Sequence, residues 1–518
     1  MNISKLKQLI LLGLLFFSFS GFAKTYYVSP VGTSSGVGSL ADPLTFSSAV
    51  GKSLTGGDSI ILRGGMYNYT SPVSITKSGN ADTKLVITAY PGEDPVIDFR
   101  NETYGSSYPG IKLSGSYIHF KGITIQGAGD NGMIVTGSYN HIENCSFRWN
   151  CDSGLQMKTG SNNLIENCDS YENFDYMTGG TSSPDYGGNA DGFADKQYTN
   201  TGINTYKGCR SWKNSDDAWD SYEKVGNTVY DSCWCFLNAP DSYDMTDHIR
   251  FKKDSVSWFS QFKNASGRYV ITNYGNGNGF KLGGNYTANN ATLHNCVSVA
   301  NPVKGFDQNN NSGIMTLYNC IGYMNAPNYG FSNSSYGTLI VKNSASLSSM
   351  GSNKFSCKSV TQSNNTWNTG FSCSASDFES LDYTQLQNER QSNGNLPEIN
   401  LLHLVSTSNL IDKGVDVGYS FSGSAPDLGA FEYGLSTAVK NIIENNYKIY
   451  YSTALKSLVF DETVETIYIY NLSGRLIYNS RVGAKRLNLP EDMSSNSLCL
   501  VCAIYNSGEN YTKKILTR

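Results

Sequence analysis

The sequence predicts an all-β chain: a right-handed parallel β-helix over residues 24–433, followed by a small β-sandwich-like domain over residues 434–518. Three observations carry this expectation. The chain repeats itself with a period of about 22 to 26 residues, the length of a solenoid coil. Its composition suits short strands and tight turns rather than long amphipathic helices: 52 glycines, 35 tyrosines and a charged fraction of 16%, against roughly 25% in ordinary soluble domains. Its strand-like segments are too short to bury a face unless they stack on one another.

Residues 1–23 read as a secretory signal peptide. Lys5 and Lys7 precede an apolar run from Leu9 to Phe19, and the small residues Gly21 and Ala23 follow. The run is too short to span a bilayer. A secreted protein is therefore expected, extracellular, cell-surface or periplasmic, with no membrane span and no lipid-bearing cysteine after the apolar run.

Two recurring slots define the coil. Cys145, Cys168, Cys209, Cys233, Cys296, Cys320 and Ser344 occupy the first. The second is a small residue followed by an apolar one: Gly132-Met133, Gly154-Leu155, Gly192-Phe193, Ala218-Trp219, Gly279-Phe280, Gly305-Phe306 and Gly330-Phe331. Stacking such coils pairs each strand with its neighbours at about 4.8 Å and buries alternate residues in one column. Twelve cysteines in a secreted chain raise the question of disulfides. One thiol per coil instead predicts an inward stack of small apolar groups, not a convergent metal site. The recurrent Asn144, Asn167, Asn295, Asn319 and Asn343 predict a side-chain amide ladder at a turn.

Two coils break the period at the same corner. About 15 extra residues separate Cys168 from Gly192, and about 37 separate Cys233 from Gly279; long insertions on one edge of a solenoid usually build its binding face. The three coils that these loops bracket carry unusual second slots: N-A-D-G-F-A-D-K (Asn189 to Lys196), N-S-D-D-A-W-D-S-Y-E (Asn214 to Glu223) and G-N-G-F-K-L-G-G (Gly277 to Gly284). Register places Asp191, Asp217 and Asn278 one coil apart, and likewise Ala194, Asp220 and Lys281.

Asp191, Asp216, Asp217 and Asp220 thus form a crowded set of carboxylates, which repel unless protonated or neutralised. Either they are a solvated acidic turn face or they hold a hard, oxygen-seeking cation. With no His or Cys nearby, Ca2+ suits the set better than zinc. Lys281, one coil beyond Asp220, is either a structural ion-pair partner or a general base whose proton affinity a neighbouring cation lowers. The net charge of -4 and the lack of a Lys/Arg run give no basic stripe for nucleic acid.

At these three motifs the sequence resembles the family nine polysaccharide lyases, the pectate-lyase family with a ten-coil β-helix. The resemblance runs from about Lys24 to Tyr433, including the opening Y-Y-V-S-P-V-G and the closing P-D-L-G-A-F-E. It implies about ten coils, calcium on Asp191, Asp216, Asp217 and Asp220, and Lys281 as Brønsted base. It further implies β-elimination at 4-linked galacturonate in an acidic plant cell-wall polysaccharide, of homogalacturonan or rhamnogalacturonan I type, by a monomeric enzyme that leaves 4,5-unsaturated products. The loop from Asn238 to Gly275 is long for that family, and Arg250, Lys252 and Lys253 within it are candidates to hold neighbouring uronate carboxylates. After Tyr433 the repeat stops, and residues 434–518 are similar to small C-terminal sorting domains of secreted proteins, or form a plain accessory module.

Two rival functions fit the same fold. A polygalacturonase-type hydrolase pairs its acids with a histidine, whereas His119, His141, His248, His294 and His403 all lie outside the aspartate motifs. A non-catalytic glycan-binding β-helix would leave Lys281 without a chemical role.

Overall fold

The computed structural model describes residues 23–178, 184–199, 202–250, 259–434, 449–452, 457–470, 476–489, 497–505 and 510–517. The leader expected over residues 1–23 lies outside them up to residue 22, as do Lys252 and Lys253. The chain divides into two compact units, Met1–Thr437 and Ala438–Arg518.

The first unit is a parallel β-helix with three sheets of twelve, ten and ten strands. Each coil contributes one short strand to each sheet, and neighbouring coils pair in parallel register. Ile142, Ile165, Tyr206, Tyr230, Leu293, Leu317 and Val341 follow one another up the twelve-stranded sheet. All seven are fully buried, because successive strand residues face opposite ways and only alternate ones enter the column. One ten-stranded sheet carries a second column in which the rings of Phe193, Trp219, Phe280, Phe306 and Tyr329 stack at centroid separations of 5.1, 4.8, 5.3 and 5.0 Å. The last of these corrects the repeat: Phe306 pairs with Tyr329, so the slot belongs to Asn328-Tyr329 and not to Gly330-Phe331. Tyr329 and Phe331 both point inward, and alternation makes them interchangeable by composition alone.

Cys145, Cys168, Cys209, Cys233, Cys296 and Cys320 are buried thiols without disulfide partners. Five of them donate weakly to a carbonyl of the coil below, such as Cys168 Sγ to Ile142 O at 3.5 Å and Cys233 Sγ to Tyr206 O at 3.4 Å. The asparagine that precedes most positions of this slot serves the backbone. Asn144, Asn167, Asn295, Asn319 and Asn343 have φ between 51° and 55°, the left-handed region that asparagine tolerates better than most residues. Their side chains do not form the expected ladder, although Asn343 does reach Asn319. A continuous amide ladder runs at another corner instead. The Nδ2 groups of Asn150, Asn173, Asn214, Asn238, Asn301 and Asn325 each donate to the Oδ1 of the next member, ending at Asn328, over 2.8–3.1 Å.

The two insertions pack on each other. Phe174, Tyr176, Tyr186, Met245, Phe259 and Ile271 form their own apolar cluster with Cys151, and Ser242–Asp244 pairs antiparallel with Val270–Thr272. Arg250 is fully buried. Its guanidinium donates to Gly127 O at 2.9 Å and to the Tyr176 hydroxyl at 3.3 Å, so it fastens this wall to the helix and is not a clamp for substrate carboxylates. Loop carbonyls left inside the wall need a donor, and a buried arginine supplies several.

Residues after the last coil double back along the third sheet, where Leu386, Leu401, Leu404, Leu410 and Leu428 cover Trp234, Phe236, Val297 and Val299. The second unit is, among the described residues, one five-stranded antiparallel sheet that includes the long strands Ser457–Tyr470 and Leu476–Asn488. Its core holds Ile449, Leu458, Phe460, Val464, Ile467, Ile469 and Val501.

Candidate active site

Three consecutive strands of one ten-stranded sheet set the site: Phe193–Asp195, Trp219–Asp220 and Phe280–Lys281. Ala194 pairs with Asp220, and Asp220 with Lys281. The inward ring stack of Phe193, Trp219 and Phe280 fixes which residues face out, since shifting the strand by one position would bury the charges and expose the rings.

The approach to these strands supplies the carboxylates. Asp191, Asp216 and Asp217 are at most 3% exposed, and one oxygen of each lies within 4.8 Å of the others. Every one is aimed by local hydrogen bonds. Asp191 accepts from Ser153 Oγ at 3.1 Å and from the amide of Asp217 at 3.3 Å. Asp216 accepts from the Asn276 amide at 2.6 Å. Asp217 Oδ1 accepts from both the amide and the side chain of Asn278, at 2.8 and 2.7 Å, while its buried Oδ2 accepts no well-aligned hydrogen bond.

Lys281 Nζ stands 2.9 Å from that Oδ2 and 3.3 Å from Asp220 Oδ1. The first contact is an ion pair by distance that lacks hydrogen-bond alignment, and we read it as Coulombic. The side chain is 11% exposed, and the Tyr222 ring lies 5.6 Å from Nζ.

Asp220 differs from the other three acids. Its Oδ2 meets Lys196 Nζ at 2.8 Å, and its Oδ1 meets Lys281 and the Tyr222 amide, the latter at 2.9 Å. It stands between two lysines, while the three remaining acids converge on one another. Lys196, which also reaches Asp191 Oδ2 at 3.0 Å, is the residue that the sequence reading passed over. The signal was alternation in A-D-K. Asp195 turns inward, where it pairs with the buried Lys224 at 3.1 Å and accepts from Thr228 at 3.1 Å, so Lys196 must turn outward. Asp130 and Asp152 extend the acid row two further coils along the same edge, in step with Asp216. Burial and the neighbouring Asp152 push Asp130 up to about 7.

Charge sums poorly in this pocket without an added cation. Burial, with the charges of Asp220 and Asp217, pushes Asp191 up to about 8 although Lys196 opposes the shift. Burial and Asp217 raise Asp216 well above the carboxylate range. Asp220 is also penalised by burial, yet Lys196 and Lys281 hold it below its ordinary value. Burial favours a neutral Lys281, but Asp217, Asp220, Asp216 and Asp191 outweigh it and keep the ammonium protonated. The donor set fits a hard cation: only carboxylate oxygens converge, one of them lacks an aligned donor, and burial makes two of the acids resist ionisation.

Comparison with known proteins agrees with this layout. Residues 26–365 match the family described as Pel9A-like, right-handed β-helix region. Pectate lyase L of Dickeya dadantii is 37% identical over 428 residues, covering 79% of this chain and 90% of that protein. The crystal structure of pectate lyase Pel9A superposes with a TM-score of 0.68 at 34% identity, over 80% of this chain and 97% of that one. A rhamnogalacturonan lyase shares the fold, with a TM-score of 0.62 at 23% identity over 74% of this chain and 97% of its own. With the motifs, the coil register and these matches in agreement, the chain belongs to the Pel9A-like right-handed β-helix family, polysaccharide lyase family nine.

Proposed function

We propose that this chain is a secreted pectic polysaccharide lyase that cleaves 4-linked galacturonate by calcium-assisted β-elimination, with Lys281 as the base. The observation that carries this reading is the pairing of Lys281 with Asp220 on adjacent strands, beside the converging oxygens of Asp191, Asp216 and Asp217. Relatives that span most of the chain are named pectate lyases, which favours a galacturonate backbone.

The substrate's C5 proton is α to a carboxylate, so its removal builds charge onto that carboxylate. Calcium held by Asp191, Asp216, Asp217 and Asp220 would neutralise the aspartates, weaken the hold of Lys281 on its proton and offset the charge developing on the uronate. Lys281 Nζ takes the C5 proton, the C4–O4 bond breaks, and the electron pair forms the C4=C5 double bond. Water does not enter the cleaved bond. The buried Asp195–Lys224 pair anchors the strand end next to Lys196, and Lys196 holds Asp191 and Asp220.

A hydrolase of this fold has no use for a lysine in direct contact with two of its acids. Incubation with polygalacturonate and with rhamnogalacturonan I separates the readings. Ultraviolet-absorbing unsaturated ends are expected from at least one polymer, and reducing sugar released without that absorbance would refute elimination.

A further inference from the structure

A second cluster of ligating side chains lies on the outward face of the twelve-stranded sheet, away from the acid pocket. The strands Ile118–Lys121, His141–Glu143 and Leu164–Glu166 pair in register, with His119 beside His141 and Glu143 beside both Lys121 and Glu166. The two imidazoles stack face to face, with centroids 4.5 Å apart and planes 2° from parallel. Both turn Nε2 toward a glutamate: His119 to Glu143 Oε2 at 2.7 Å, and His141 to Glu166 Oε2 at 3.0 Å. One ligand atom each from His119, His141 and Glu143 falls within 4.8 Å of the others. The three side chains are 27%, 17% and 16% exposed, so they are sheltered yet reachable.

We propose that His119, His141 and Glu143 form a binding site for a zinc-class divalent metal, with Glu166 placed to complete the set. Two imidazole nitrogens and a carboxylate match the preference of zinc and its transition-metal neighbours, and are poor ligands for calcium. Stacked imidazoles are poorly disposed to carry two protons. A neutral ring offers the metal its lone pair. On binding, the ring proton would reside on Nδ1, and the two rings would tilt out of their parallel stack so that both Nε2 lone pairs converge on the metal beside the Glu143 carboxylate. The competing arrangement is a ladder of ion pairs, because Lys121 and Lys207 hold the other oxygens of Glu143 and Glu166 at 2.7 and 2.9 Å. Those lysines are 41% and 50% exposed and can swing into solvent as the metal enters. Bound there, the metal ties three successive coils together, a structural role separate from the cleavage reaction.

The test uses the full chain, stripped by chelator and then held in excess calcium. Zinc is titrated calorimetrically, and cobalt(II) is titrated by absorption spectroscopy. One zinc per chain and a cobalt spectrum of nitrogen-ligated, four-coordinate type are expected. His119→Gln and His141→Gln should each weaken zinc by about tenfold or more, as loss of a ligand costs at least what loss of an outer-shell partner does. Lys121→Gln should tighten it, because a competing cation is gone. His294→Gln serves as control: that ring lies on the same sheet, pairs with Asp231 at 3.3 Å and stacks on Tyr419. Equal zinc uptake by the wild type and both ligand variants, or a cobalt spectrum with oxygen ligation alone, would overturn the assignment. Asp217→Asn should leave zinc uptake intact, which separates this site from the acid pocket whatever the pocket does.

Discussion

Lys281 and Asp220 are direct register partners on adjacent strands, and Lys281 Nζ lies 3.3 Å from Asp220 Oδ1 and 2.9 Å from Asp217 Oδ2. A lysine so placed is locked as an ammonium by the acids around it. Its use as a base therefore depends on a second positive charge reaching the same acids.

Replacing Lys281 with alanine is expected to lower the rate of unsaturated-product formation by about 10² to 10⁴-fold, the range general-base catalysis supplies. Calcium uptake should persist, since the variant removes a competing cation and none of the proposed ligands. Product absorbance during polygalacturonate digestion is the measurement. A rate within a few-fold of wild type would remove Lys281 from the chemistry.

Chelation is expected to abolish cleavage, and calcium to restore it better than magnesium, because a crowded carboxylate set suits a flexible, large coordination shell. Asp217→Asn should raise the calcium concentration for half-maximal activity by about tenfold or more. Full activity in excess chelator would end the metal proposal.

The pH dependence has a definite sign. Asp191 in the pocket is pushed up to about 8, and burial raises Glu102 and Asp175 to about 7. In the folded chain these groups keep protons that the unfolded chain loses near pH 4. At these three groups the folded state binds more protons between those limits, so the stability they contribute is greatest below about pH 4 and is lost as pH rises to about 7 to 8. Thermal scans in chelator from about pH 5 to pH 8 should show a decreasing Tm. Calcium addition below pH 8 should release protons, detected as a buffer-dependent heat. A Tm that rises across this range would contradict the assignment.

Lys224→Ala is expected to cost about 3–5 kcal/mol in urea unfolding, because it strands Asp195 as an uncompensated buried charge. The pair is at most 1% exposed. A loss below about 1 kcal/mol, the scale of exposed pairs, would show that water reaches the site.

Much of this was legible in the chain. Repeated Cys and Gly-apolar slots gave the coil, and counting from them paired Ala194 with Asp220 and Asp220 with Lys281 before any coordinates. Counting failed where chemistry was degenerate. Tyr329 and Phe331 are equally good core residues, and only pairing distinguishes them. The asparagines at the cysteine slot looked like a ladder because they repeat, yet they repeat for their left-handed backbone. The true ladder lies at asparagines whose spacing is broken by the loop between Asn238 and Asn301.

The sequence by itself determined the parallel β-helix, the alignment of the aspartate motifs with Lys281 and the family to which they belong, because a period-two strand inside a regular coil turns residue number into position. Only the tertiary structure decided what insertions and turns do. It buried Arg250 as the fastener of a loop wall, brought Lys196 onto Asp191 and Asp220, and set His119 against His141. Side-chain direction in such places depends on which buried polar groups need partners, and that depends on segments far apart in the chain.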